Sequence, residues 1–151
     1  MRYYTHLAFS FIIGMFLIKY LSISNQILFI VLFLFASLLP DIDEAKSKVS
    51  QQVKPLAWLI NFIMGHRGLM HSIWIPVLLY LLLFKIKMAI AIAISFGYLS
   101  HLVLDCFTVS GLRLLWPWKK RMKGFIVTGS LWENLLFILF LMIGVYLLIT
   151  F

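Results

Sequence analysis

Apolar side chains fill five long runs of the chain, 3–20, 26–39, 69–84, 88–107 and 131–151, and polar positions gather in the gaps between them. Most of these runs approach the roughly 20 residues that a helix needs to cross the hydrocarbon of a bilayer. Helices are expected rather than strands, because an open strand edge in lipid leaves backbone N–H and C=O groups unpaired. The run at 26–39 is short enough to be re-entrant instead. Between the second and third runs, residues 55–64 form a short apolar stretch opened by Pro55, which predicts an interfacial helix. Gly65 and Gly68 bracket His66 and Arg67 and imply a turn there. The expected fold is an all-α integral membrane protein, a bundle of about five transmembrane helices with one interfacial helix, forming a single membrane-embedded domain over 1–151.

Composition supports the membrane reading. Of the 151 residues, 64% are hydrophobic and 12% charged, and the mean hydropathy is +1.05. Soluble domains are usually only about half apolar, and a chain of this size has too much surface to hide so many Leu, Ile and Phe residues. The net charge of +8 comes from 13 Lys and Arg against 5 Asp and Glu. On a soluble chain it would suggest nucleic acid. Here it reads as orientation and headgroup contact, and no direct nucleic-acid binding is expected.

Five crossings place the N-terminus, the 41–68 segment and the 108–130 loop on one side. That side carries Arg2, Lys46, Lys48, Lys54, Arg67, Arg113, Lys119, Lys120, Arg121 and Lys123, whereas the other has only Lys19, Lys85 and Lys87. The bias predicts that the first side is cytoplasmic, in a multi-pass protein of the inner membrane. Trp116-Pro117-Trp118 beside Lys119-Lys120-Arg121 suits a loop at headgroup level and contact with membrane lipids. Met1-Arg2, an apolar run and Ser22-Ile23-Ser24 loosely fit a cleavable leader. That is the less favoured reading, since the stretch contains His6.

The acids are Asp41, Asp43, Glu44, Asp105 and Glu133, and the histidines are His6, His66, His71 and His101. With five crossings they fall at ends of helices on one membrane face, the face that carries most of the basic residues. Ionisable groups in a membrane favour a functional reading. Imidazole together with carboxylate suits zinc, and also manganese or iron, whereas magnesium rarely recruits so many histidines. His101 and Asp105 lie four apart and so project from one helix face. Asp41 and Asp43, directly after Pro40, put two like charges together, which is costly near lipid unless a cation or hydrogen-bond donors compensate. The expected ligands are His6, Asp41, Asp43, His66, His71, His101 and Asp105.

Each of these also has a structural reading. Asp41 and Asp43 could cap the Pro40 turn, His6 could be interfacial, His66 and His71 could pack, and His101 with Asp105 could be a helical ion pair. Ser130-Leu131-Trp132-Glu133 is a capping box, so Glu133 is as good a helix cap as a catalytic acid. Cys106 follows Asp105 and points about 100° away from it, which favours packing. As the single cysteine it excludes an internal disulfide framework. Arg67 and Arg113 could bind a phosphate oxygen or snorkel to headgroups.

Four motifs, THLAFS, SLLPDID, GHRGLMHS and YLSHLVLDCFTVSGLRLLWPW, stand in order along the chain. Together they resemble the YdjM-like family of inner-membrane, predicted metal-dependent hydrolases, also described as LexA-binding. The resemblance runs from His6 to Trp118, and Gly129 and Glu133 extend it. It implies an all-helical membrane protein with a hydrolase site carried by His6, Asp41, Asp43, His66, Arg67, His71, His101 and Asp105, and a LexA-type regulator as a partner. The His-x-x-x-Asp spacing is shared with zinc-dependent phospholipase C and nuclease sites, an analogy that points to phosphoester cleavage.

The expected function is a metal-dependent hydrolase that cleaves a phosphoester of a lipid or other amphipathic substrate at the cytoplasmic membrane interface. One or two ions would share a carboxylate, with Asp41 or Asp43 as the bridge, and Asp43, Arg67 and Glu133 are the expected catalytic residues. The rival readings are a transporter of protons or divalent ions and a non-catalytic regulatory module that binds through its basic loops.

Overall fold

The computed structural model describes residues 1–43, 69–118 and 120–150, the side chains of Ile42 and Asp43 excepted. In order, the chain forms α1 (Tyr3–Leu21), α2 (Gln26–Leu38), a 3-10 turn at Leu39–Asp43, a second at Leu69–His71, α3 (Trp74–Leu83), α4 (Met88–Cys106) and α5 (Leu131–Thr150). The all-helical architecture agrees with the sequence pattern. Among the described residues there is no strand, only two isolated bridges, Thr108 with Ile126 and Leu112 with Met122, in the α4–α5 loop. The expected interfacial helix at 55–64, together with Glu44, His66, Arg67 and Lys119, lies outside the described residues.

α1, α4 and α5 are long and apolar enough to cross a membrane. α2, with 13 residues, and α3, with 10, are shorter. At 1.5 Å per residue they rise about 20 and 15 Å, short of a hydrocarbon core roughly 30 Å thick. α3 starts at Trp74 rather than at Leu69 because of Pro76. A proline has no N–H, and its ring clashes with the carbonyl four residues back, here that of Ser72, so the helix cannot run on through it. The chain turns instead: the Ser72 N–H and hydroxyl both donate to the Leu69 carbonyl, at 3.0 and 2.6 Å.

α4 is the centre of the bundle, packed against α1, α2 and α3, while α5 leans chiefly on α1. Lipid is as apolar as leucine, so helices in a membrane associate by close packing and polar contacts rather than by hiding hydrocarbon from water. Both devices are present. A Cβ at Gly97 of α4 would stand 2.3 Å from the Phe33 carbonyl oxygen of α2, so only glycine permits this approach. Phe29, Phe33, Ile18, Ile92 and Ala93 form one buried apolar cluster between α1, α2 and α4, and the hydroxyls of Ser10 on α1 and Ser100 on α4 are 2.7 Å apart.

Candidate metal centre

Four stretches of chain bring five residues together at one end of the bundle. His6 sits in the first turns of α1, Asp41 in the 3-10 turn after α2, His71 in the 3-10 turn before α3, and His101 with Asp105 in the last turns of α4. His6 and His101 are fully buried, and His71 and Asp41 nearly so. The Asp41 position follows from Pro40, which ends α2 in a tight turn. His71 is held by Tyr98 of α4, whose hydroxyl donates to the Met70 carbonyl at 2.5 Å.

The nitrogens and oxygens of these residues form two overlapping groups, His6 with His101 and Asp105, and Asp41 with His71 and His101, each with its ligand atoms within 4.8 Å of one another. His6 Nε2 is 3.4 Å from Asp105 Oδ1, and His101 Nε2 is 3.5 Å from both Asp105 Oδ2 and Asp41 Oδ1. These approaches are too long for good hydrogen bonds. They match ligands on a tetrahedral ion, where bonds of about 2.0–2.2 Å set neighbouring ligand atoms roughly 3.3–3.6 Å apart.

Two further features fit a cation. The Nδ1 of His101 lies 2.8 Å from the Ser37 carbonyl, one of the last carbonyls of α2 and so unused within the helix. A carbonyl only accepts, so Nδ1 carries a proton and Nε2 is the nitrogen turned toward the two carboxylates, the orientation that metal-ligating histidines adopt. That Nε2, and both ring nitrogens of His6, are buried and make no hydrogen bond among the described residues. Two carboxylates beside buried imidazoles are costly in a low-dielectric setting unless positive charge balances them. The Met1 amino group supplies some at Asp105 Oδ1, 2.8 Å away. Burial pushes the Asp41 carboxyl above its ordinary value, against the opposing pull of His101.

The rings of His6 and His101 stack at 3.8 Å with 7° between their planes, and His71 meets His101 edge-on at 5.9 Å. Asp105 therefore offers one oxygen to each of two parallel imidazoles.

Glu133 is elsewhere. Its Oε1 accepts from the Arg2 N–H at 2.6 Å and the Thr5 hydroxyl at 3.2 Å, and its Oε2 from the Gly129 N–H at 2.5 Å. The Glu133 N–H reaches back to the Ser130 hydroxyl at 3.4 Å. This is the capping box of the sequence with the acid reaching one residue further back, and it ties the start of α5 to the start of α1. The Asp43 side chain, His66 and Arg67 lie outside the described residues. Arg113 is half-buried, and its Nε makes no hydrogen bond among the described residues. Sequence reading missed the Ser37 carbonyl and the Ser10–Ser100 pair, since a backbone acceptor and lone serines carry no motif.

Over residues 1–150 the chain matches the family described as YdjM inner membrane protein. It is 33% identical over 107 residues to YvsG of Bacillus subtilis strain 168, described as an uncharacterized protein, covering 66% of this chain and 64% of that one. It is 38% identical over 94 residues to the inner membrane protein YdjM of Escherichia coli K12, and equally to that of Shigella flexneri, covering 57% of this chain and 47% of each relative. The matched stretch thus spans between about half and two thirds of these curated relatives. No solved structure matches the chain.

Proposed function

This chain belongs to the YdjM inner membrane protein family, and we propose that it is a metal-dependent hydrolase acting on a phosphoester of an amphipathic substrate at the membrane boundary. The observation that carries the reading is the placement of His101. Its Nδ1 is fixed on the Ser37 carbonyl while its Nε2 faces both Asp41 and Asp105. Zinc is the ion best suited to three imidazoles and two carboxylates.

His6, Asp41, His71, His101 and Asp105 would hold the metal. Five ligands exceed the needs of one tetrahedral ion. The five side chains fall into two overlapping groups that share His101, a donor set that would suit one ion or a pair. Asp105, with one oxygen beside each ring, is then the carboxylate best disposed to be shared, with Asp41 serving the His71 side. Held by these residues, a metal would supply a water of lowered pKa and offset charge on the phosphoryl oxygens. Asp43 would orient that water as the uncommitted carboxylate, and Arg67 would clamp a phosphate oxygen, since a guanidinium fork matches phosphate and keeps its charge. Glu133, already occupied by three donors, acts through structure: it holds α1 and α5 in the register that brings His6 to the site.

Transport would require polar groups strung through the membrane depth. Here α4 offers only Met, Ala and Ile between Met88 and Ser95, and α1 is apolar from Phe11 to Ile18, which favours a site at one face. The predicted excess of basic residues on that face supports a site on the cytoplasmic side. The test is turnover by the detergent-purified, zinc-loaded chain. Long-chain lipid phosphoesters should be cleaved, and Arg67→Ala should abolish turnover while metal content stays at the parent level. Cleavage of soluble phosphoesters alone would remove the lipid assignment, and full activity in Arg67→Ala would remove that residue from the reaction.

A further inference from the structure

α4 and α5 both pack on α1, yet they make little contact with each other. Between them lies a groove of about 340 Å³, lined by Phe9 of α1, Leu104 of α4, Phe107 and Phe125 of the loop that follows, and Trp132 and Phe140 of α5. Its volume is at the lower end of the roughly 300–1,000 Å³ of ligand sites. The lining is hydrocarbon and aromatic throughout, so a headgroup would find no hydrogen-bond partner there and would forfeit its own hydration.

The groove has a direction. Trp132 lies at the start of α5, at the polar end of the bundle, and Phe140 is eight residues on, about 12 Å deeper at 1.5 Å per residue. Phe107 and Phe125 stand at the shallow end. The groove therefore runs from the level of the helix ends toward the bilayer middle, the course that a lipid chain takes. Two of its lining residues neighbour the metal centre along their helices: Leu104 directly precedes Asp105, and Phe9 is one turn past His6. A recess that surrounds a chain on several sides gives it more contact than a convex lipid-facing helix does.

We propose that this groove holds one hydrocarbon chain of the substrate and so delivers the attached phosphate to His6, His101 and Asp105. The inference rests on the hydrolase reading of that centre and adds to it the place where the substrate's apolar part is recognised. The metal centre sets what bond is broken, and the groove sets which molecules bring that bond within reach.

The experiment uses the full zinc-loaded chain in micelles with a phosphatidic acid that carries a photoactivatable diazirine midway along one acyl chain. Crosslinks should fall on Phe9, Leu136 and Phe140 in preference to Ile138 and Met142, which are exposed and lie on another face of α5. Leu136→Trp, which fills the groove, should cut groove labelling about tenfold and leave bound metal unchanged. Equal labelling of the two faces overturns the proposal. That comparison is made on the parent protein and so stands whether or not the variant folds. Groove labelling that persists in folded Leu136→Trp overturns it as well. Turnover measured in parallel separates the two ideas. Preferential labelling without hydrolysis removes the hydrolase reading and keeps the chain site, whereas hydrolysis without preferential labelling removes the chain site alone.

Discussion

α4 and α5 are nearly equal in length and both are apolar enough to cross a membrane, yet half of α4 is buried inside the bundle against 17% of α5. The difference lies in side-chain size and polarity. α4 places Ala91, Ala93, Ser95, Gly97 and Ser100 against its neighbours, and ends in His101 and Asp105. α5 is built largely of Leu, Ile and Phe, and leaves Leu135, Ile138, Met142 and Ile149 exposed. In a soluble protein the more hydrophobic helix would be the inner one. In lipid the small and polar helix goes inside, because close approach and hydrogen bonds are what hold helices together there.

The largest expected effect comes from adding one methyl group to each helix. At Gly97 the new Cβ would meet the Phe33 backbone at 2.3 Å, whereas at Gly144 of α5 the nearest atom is a Phe11 ring carbon at 3.4 Å. Gly97→Ala should cost about 3 kcal/mol and Gly144→Ala less than about 1 kcal/mol, as overpacking against rigid and yielding neighbours does, measured by denaturation in mixed micelles. Equal losses would break the comparison between the two helices.

Next come the two buried acids. Asp105→Asn should strip most bound metal. Glu133→Gln should keep it and instead lower stability by about 1–3 kcal/mol, since the donors around Glu133 lose a charged acceptor. Loss of metal in Glu133→Gln at unchanged stability would place that acid in the centre after all. Metal retention should also weaken as pH falls, because the ligands must shed protons to bind and burial makes Asp41 hold its proton more readily. Retention that is flat with pH would exclude these ligands.

The smallest effect concerns the helix interior. Ser10→Ala removes the Ser10–Ser100 contact and should cost about 0.6 kcal/mol, the usual worth of such a bond in a membrane. Ile138→Ala on the exposed face of α5 should change stability by less than about 0.5 kcal/mol. A larger loss at Ile138 would show that this face is covered.

The helices were legible in the sequence because continuous apolar runs leave the backbone in lipid few alternatives. The onset of α3 was not, because the run from Leu69 looks uninterrupted until the reach of Pro76 back to Ser72 is considered. The gathering of His6, Asp41, His71, His101 and Asp105 was foreshadowed by their places at the ends of successive apolar runs, which a chain that doubles back brings to one end of the bundle. What placement could not give was the order inside the cluster. The stacking of His6 on His101 and the orientation of Nδ1 toward Ser37 depend on how closely α1, α2 and α4 approach, and that is fixed by Gly97 and its neighbours. Glu133 shares the face of the cluster but not its interior, for its capping box spends the carboxylate on backbone donors.

Elemental analysis of the detergent-purified chain, after dialysis against zinc and then buffer, bears most directly on the metal centre. The folded parent should retain about one to two zinc equivalents per chain, and a folded His101→Ala variant should retain almost none. A folded parent that holds no stoichiometric divalent metal, or a variant that holds as much as the parent, would contradict the account.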